Sequence, residues 1–157
     1  MALEIGNPAP DFSLPDETGK LVSLASFKGR NVVLYFYPKD DTSGCTIQAK
    51  DFTCLVDDFA KAGAVVIGVS PDSVKSHVKF SAKHDLNISL LADEEKGAIQ
   101  AYGLWIEKSM YGKKYMGVNR STFLIGEDGM IKAIWKSVSV PGHAEEVLDV
   151  VKSSKQP

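Results

Sequence analysis

Cysteine is scarce in this chain of 157 residues, with one at position 45 and one at position 54. Two thiols are too few for a disulfide scaffold, and they fit a reducing compartment in which a free thiol can do chemistry. Nor do they form Cys-x-x-Cys, because Gln48 stands where the second cysteine of a dithiol exchange site would be. Basic residues are in no excess. The formal net charge of −2 argues against nucleic acid or an anionic membrane surface as partner. No apolar run approaches the roughly 18 residues of a membrane-spanning helix. The opening MALEIGNPAPDF has neither the basic nor the apolar part of a secretory signal, so a cytoplasmic protein is expected. His77, His84 and His143 show no zinc-like pairing with each other or with the cysteines, and His77 and His84 read as polar faces of one helix. A P-loop and a Gly-x-Gly-x-x-Gly turn are both lacking, so neither a metal nor an organic cofactor is expected.

What is present is the composition of a globular protein, 44% hydrophobic and 24% charged, of a length that suits one domain over residues 1–157. Asp11 to Leu14 and Lys20 to Leu24 flank a Pro-Asp-Glu-Thr-Gly turn and predict an opening hairpin. Val32 to Tyr37 and Ala64 to Val69 are β-branched, uncharged runs of the kind buried on both faces of a sheet. A helix between them, ending near Gly63, makes a parallel crossover. Asp72 begins a second predicted helix through Val74, Val78 and His84, Ile88 to Leu91 a third strand, and Asp93 a third helix interrupted by glycine. Residues 107–117, EKSMYGKKYMG, have no clear period and read as a long loop. Val118 to Ile125 and Met130 to Trp135 predict a second hairpin across Gly126-Glu-Asp-Gly129. His143 to Lys152 closes the chain as an amphipathic helix.

The densest chemistry lies in VVLYFYPKDDTSGCT, residues 32–46. Pro38 has no N–H to continue a ladder, so the chain leaves the sheet there. Asp40, Asp41, Thr42 and Ser43 can each accept from the free N–H groups of a helix start, and Phe52, Leu55, Val56 and Phe59 follow at helical spacing. Cys45 therefore falls in the first helical turn, where unpaired N–H groups favour the ionised, nucleophilic sulfur; on position alone a small buried hydrophobe is the other reading of this cysteine. Tyr37, beside Pro38, reads as a packing residue of the strand.

With its Pro38-x-x-x-Thr42-x-x-Cys45 spacing, the chain resembles the peroxiredoxins. The segments IGNPAPDFSLPDETGKLVSL, FKGRNVVLYFYPKDDTSGCT, GAVVIGVSPDSVKSHVKF and NRSTFLIGEDGMI are similar to the bacterioferritin comigratory, or Q-type, branch. Ser43 departs from the proline usual in that branch, a change that still allows a helix start. The resemblance implies an α/β, thioredoxin-like fold with a central mixed sheet flanked by helices. It implies a peroxidase acting on hydrogen peroxide and organic hydroperoxides, with Cys45 as nucleophile, Thr42 and Pro38 around it and Arg120 as the fixed cation. Thioredoxin or another thiol is the implied reductant, and a monomer the implied state.

One step is left without a residue. The branch places its resolving cysteine at positions that correspond here to Lys50 or Ser81, and neither is a cysteine. Cys54, nine residues on, would lie about 13 Å along the helix from Cys45 and near the opposite face, beyond disulfide reach. It reads as a packing residue beside Phe52 and Leu55. The non-enzyme alternative is a redox sensor or binding protein on the same fold, with oxidation of Cys45 as its signal.

Overall fold

The computed structural model describes residues 3–155. Its centre is a five-stranded sheet built around β3, Asn31–Phe36, all six residues of which are buried. Alternate side chains of such a strand enter opposite cores. Val33, Tyr35 and Tyr37 join one cluster, and Val32, Leu34 and Phe36 the other. The uncharged run thus belongs at the middle of a two-sided sheet.

The chain reaches β3 through a short antiparallel hairpin, β1 (Ser13–Pro15) and β2 (Leu21–Ser23). From β3 it runs into α1 (Ser43–Lys61), returns as β4 (Ala64–Ser70), and passes through α2 (Val74–His84) to β5 (Ser89–Ala92). These strands are parallel, Val33 standing opposite Val66 and Val69 opposite Leu91. A short helix α3 (Gly97–Ala101) leads to a separate antiparallel pair, β6 (Trp105–Met110) and β7 (Lys113–Val118). The chain re-enters the main sheet as β8 (Ser121–Ile125) beside β3, pairs it with β9 (Ile131–Trp135), and ends in α4 (His143–Lys155). The order is β5-β4-β3-β8-β9, with β8 antiparallel to both neighbours, which is the mixed sheet expected. Buried residues of α1, α2 and α4 pack on one face; those of α3, the base of the β6–β7 pair and the turn at Leu24 lie on the other.

Several expectations are corrected. Residues 107–117 form most of a hairpin rather than a long loop, closed by Tyr111 and Gly112, both at positive φ (52° and 79°), the conformation a two-residue turn needs to match strand twist. Its strands pair only with each other and most of their side chains are exposed, so no alternation marked them. Val118 consequently ends β7, and the next strand begins at Ser121. The second helix starts at Val74, capped by Ser73, whose side chain accepts from Ser76 N; Asp72 instead receives the Ser70 hydroxyl and the Asp40 N–H. The third helix starts at Gly97, because Asp93 stands outside it and accepts from Ile99 N at 2.8 Å.

Candidate active site

The loop from β3 to α1 begins where the parallel ladder stops. Tyr37 N donates to Val69 O at 3.0 Å, Pro38 follows without a donor, and the chain turns away from the sheet. Thr42 is the N-cap of α1 in extended conformation, but its side chain does not cap; the hydroxyl donates to Lys39 O at 3.0 Å. Its oxygen lone pairs remain available on an exposed residue beside Cys45. Asp40 and Asp41, candidate caps in the sequence, serve other partners. Asp40 is buried against Tyr37, Ser76 and His77, and Asp41 bonds Lys83 and His84. The α1 N-terminus therefore has backbone N–H groups that no side chain of the motif covers.

Cys45 occupies the first turn of α1 and is buried in the cluster that holds Tyr35, Tyr37, Ala49 and Phe52. A charged group reaches its sulfur from across the sheet. Arg120 Nη2 donates to Cys45 Sγ at 3.2 Å, and Arg120 Nη1 donates to Gln48 Oε1 at 2.5 Å. The topology makes this meeting possible. Arg120 directly precedes β8, and because Ser121 stands opposite Phe36, the start of β8 lies at the end of β3 from which the Cys45 loop departs. The Arg120 carbonyl accepts from Val138 N at 2.9 Å, which fixes the backbone behind the guanidinium. A Cβ added at Gly44 would meet Arg120 Nη2 at 3.4 Å, an ordinary contact distance, which places the guanidinium directly against this first turn of α1.

Gln48 is a site residue that the sequence reading missed. It is buried three residues after Cys45, on the same side of α1, and a helical i, i+3 count from the thiol would have found it. Its Nε2 and the Tyr35 hydroxyl are buried with no hydrogen-bond partner among the described residues. Burial, followed by the charges of Cys45 and Asp40, pushes the Tyr35 phenol well up, so it stays neutral. Lys108, from β6, is a second nearby cation: burial and the Arg120 guanidinium hold its ammonium below the ordinary value, while Cys45 acts in the opposite sense.

His77 is corrected as well. It is not on a polar helix face but fully buried, with Nδ1 at 2.7 Å from Asp40 Oδ2 and Nε2 at 2.9 Å from Leu91 O. His84 does lie on the outer side, where it contacts Asp41. Cys54 is exposed rather than packed beside Phe52. Lys50 is exposed, and Ser81 on α2 donates to Leu86 O at 3.4 Å. Among the described residues, no group of three or more His, Cys, Asp or Glu could hold a metal ion, and no helix is long and apolar enough to cross a membrane.

A buried thiol at an open helix start, held by an arginine just ahead of the adjoining strand, makes this a candidate thiol-based redox site on a mixed α/β sheet. Residues 5–134 match the AhpC/TSA family, and the chain belongs to it. Within that family it is 47% identical to a putative peroxiredoxin Bcp of Coxiella burnetii, over 94% of this chain and 98% of that protein. It is 46% identical to peroxiredoxin Bcp of Bacillus subtilis, over 99% of both. Among solved structures, PrxQ of Xylella fastidiosa superposes with a TM-score of 0.94 at 37% identity, over 99% of each chain. A Xanthomonas campestris bacterioferritin comigratory protein, described for its alkyl peroxide reduction activity, gives 0.88 at 41% identity over 92% of each. The fold is accordingly the thioredoxin-like one of the peroxiredoxins.

Proposed function

We propose that Cys45 is the peroxidatic thiol of this peroxiredoxin, assisted by Arg120, Thr42 and Pro38. The enzyme is a thiol-dependent peroxidase, and its substrates are hydroperoxides. The observation that carries the residue assignment is the 3.2 Å contact of Arg120 Nη2 with Cys45 Sγ, a permanent cation on a nucleophile. The Cys45 sulfur attacks one oxygen of the peroxide in line with the O–O bond. That bond breaks, the departing oxygen leaves as hydroxide or alkoxide and takes a proton, and Cys45 becomes the sulfenic acid. Negative charge grows on the departing oxygen, where the guanidinium and the uncapped N–H groups of α1 stabilise it. The Thr42 hydroxyl hydrogen is committed to Lys39 O, so its oxygen accepts from the peroxide O–H and orients it. To Pro38, half-buried where the chain leaves the sheet, we assign the shielding of the thiol from water.

A reductant thiol then condenses with the sulfenic acid to give a mixed disulfide and water, and a second thiol releases Cys45. Cys45 and Cys54 lie on one unbroken helix, the first buried and the second exposed, which supports an external thiol rather than Cys54. We take thioredoxin or a small thiol as that reductant, in the cytoplasm, with the chain acting as a monomer of one thioredoxin-like domain over 1–157. The relatives do not favour the sensor alternative. The decisive assay is peroxide consumption by the purified chain with excess thiol: many turnovers in the native protein and none in folded Cys45→Ser are expected, and retained turnover in Cys45→Ser would refute the assignment.

A further inference from the structure

The loop that carries Thr42 is not self-supporting. Its N-cap side chain makes no capping bond, and Asp41 sits in the left-handed region at φ 61°, a conformation of modest cost that persists only when the surroundings impose it. The surroundings here are the residues of α2. On the outside, Asp41 bonds Lys83 at 2.7 Å and His84 at 2.9 Å, but these contacts are exposed and screened by water. On the inside, Asp40 is buried and saturated. Its Oδ1 accepts from Tyr37 Oη at 2.6 Å, and its Oδ2 from Ser76 Oγ at 2.8 Å and from His77 Nδ1 at 2.7 Å. Its N–H donates to Asp72 Oδ2 at 2.7 Å. One residue thereby ties the loop to the end of β3, to α2 and to the turn after β4.

The proton inventory of this pair follows from its partners. His77 Nε2 faces the Leu91 carbonyl at 2.9 Å, and a carbonyl only accepts, so Nε2 carries hydrogen. A carboxylate also only accepts, so the contact between Nδ1 and Oδ2 must hold a second proton. If that proton were lost, two lone pairs would face each other at 2.7 Å in a dry interior.

We propose that Asp40 and His77 are positioning residues of the peroxidase: the proton held between them keeps the 39–42 loop and the first turn of α1 in the conformation in which Cys45 and Arg120 receive peroxide. The proposal rests on the peroxidase reading above. Burial alone would push the His77 imidazole down, but the hydrogen bond and charge of Asp40 outweigh it and hold the group above the ordinary 6.5. Asp72, from the turn after β4, acts in the same direction, and the Tyr37 phenol is kept neutral by burial and by the nearby Tyr35 and Asp40. From β5 only the neutral Leu91 carbonyl meets the ring, and Lys83 and His84 of α2 are directed to Asp41. The latch is therefore complete below 6.5 and is released as pH rises through the raised value.

The test compares the full-length protein with His77→Gln across pH, reading the single-turnover rate of Cys45 oxidation by hydrogen peroxide and hydrogen exchange of amides 40–46. The native protein should slow at alkaline pH as those amides lose protection relative to their intrinsic, base-catalysed exchange. His77→Gln, a neutral donor, should be about 10- to 100-fold slower and lack that alkaline limb. A folded His77→Gln with unchanged rate and pH profile overturns the proposal. Should that variant fail to fold, ring-nitrogen NMR of the native protein decides: two protonated nitrogens on His77 are expected below pH 6.5, and a single one there refutes the latch. Absence of peroxide turnover in the native protein would instead sink the peroxidase reading, while the exchange and NMR results would still report on the latch.

Discussion

Arg120 Nη2 stands 3.2 Å from Cys45 Sγ although 75 residues separate the two in the chain. The antiparallel return of β8 along β3 creates this contact, and Gln48 anchors the other arm of the fork. A guanidinium fixed in this way is oriented before peroxide arrives, which is the condition under which electrostatic stabilisation lowers a barrier most.

Replacing Arg120 by alanine should therefore slow peroxide reduction by roughly 100- to 1,000-fold, the usual effect of removing one preorganised donor. Arg120→Lys keeps the charge but not the fork, so it should fall between the two. Stopped-flow rates on variants with unchanged circular dichroism would check both, and an Arg120→Ala rate equal to the native one would remove Arg120 from the site.

Gln48→Ala should cost less, about tenfold, because it removes the anchor and leaves the charge; hydrogen bonds to charged groups contribute about 1.5–3 kcal/mol. The oxidation rate and the global stability should both fall, the latter by about that amount because the bond lost is buried, and a paired kinetic and denaturant measurement reads each.

How much of this was legible in the sequence depends on where each partner lies. Cys45, Thr42 and Pro38 share one short segment, and strand, turn and helix signals around them place the thiol in a first helical turn without any long-range information. Arg120 could not be chosen that way, because its partner is a whole strand pairing away; the family motif pointed to it. His77 misled for the same reason: on helical spacing it read as a polar residue, but Asp40, 37 positions earlier, gives it a buried partner. The β6–β7 hairpin escaped because alternation records one buried face, and most of the hairpin is exposed on both.

Tyr35→Phe should be neutral or stabilising by up to about 1 kcal/mol, since it removes a buried hydroxyl with no hydrogen-bond partner among the described residues. Gly68→Ala should do the opposite. A Cβ there would sit 2.8 Å from the Tyr35 ring carbon Cζ, and overpacking of this kind costs about 1–3 kcal/mol. Urea denaturation of the two variants reads both signs.

His143 should make the fold sensitive to acid. It is buried beside the Thr122 hydroxyl at 2.8 Å, and burial holds its imidazole below the ordinary 6.5. The unfolded chain then binds a proton that the folded chain refuses, so stability falls as pH drops below 6.5 toward the lowered value. His143→Asn, which cannot gain that proton, should flatten this part of the stability curve; an unchanged slope would assign the acid sensitivity elsewhere.

Resolution of the oxidised sulfur depends on whether a second thiol can reach it. Cys45 and Cys54 ride on α1, nine residues apart, so the helix sets them about 13 Å apart along its axis and half a turn round. A disulfide needs Cα atoms within about 7 Å, so it cannot form while α1 is intact. One equivalent of peroxide should therefore leave a sulfenic acid on Cys45, trapped by dimedone, and excess peroxide should drive it to the sulfinic form. Lys50 and Ser81 offer no thiol, but Ser81 lies on α2, the helix that Asp40 and Asp41 bind to the Cys45 loop. Ser81→Cys should then permit an internal disulfide if the first turn of α1 unwinds, and thioredoxin should cycle that variant faster than the native chain. Non-reducing peptide mapping discriminates: a Cys45–Cys54 linkage formed rapidly in the native protein would overturn this account of resolution and leave Cys45 as the nucleophile.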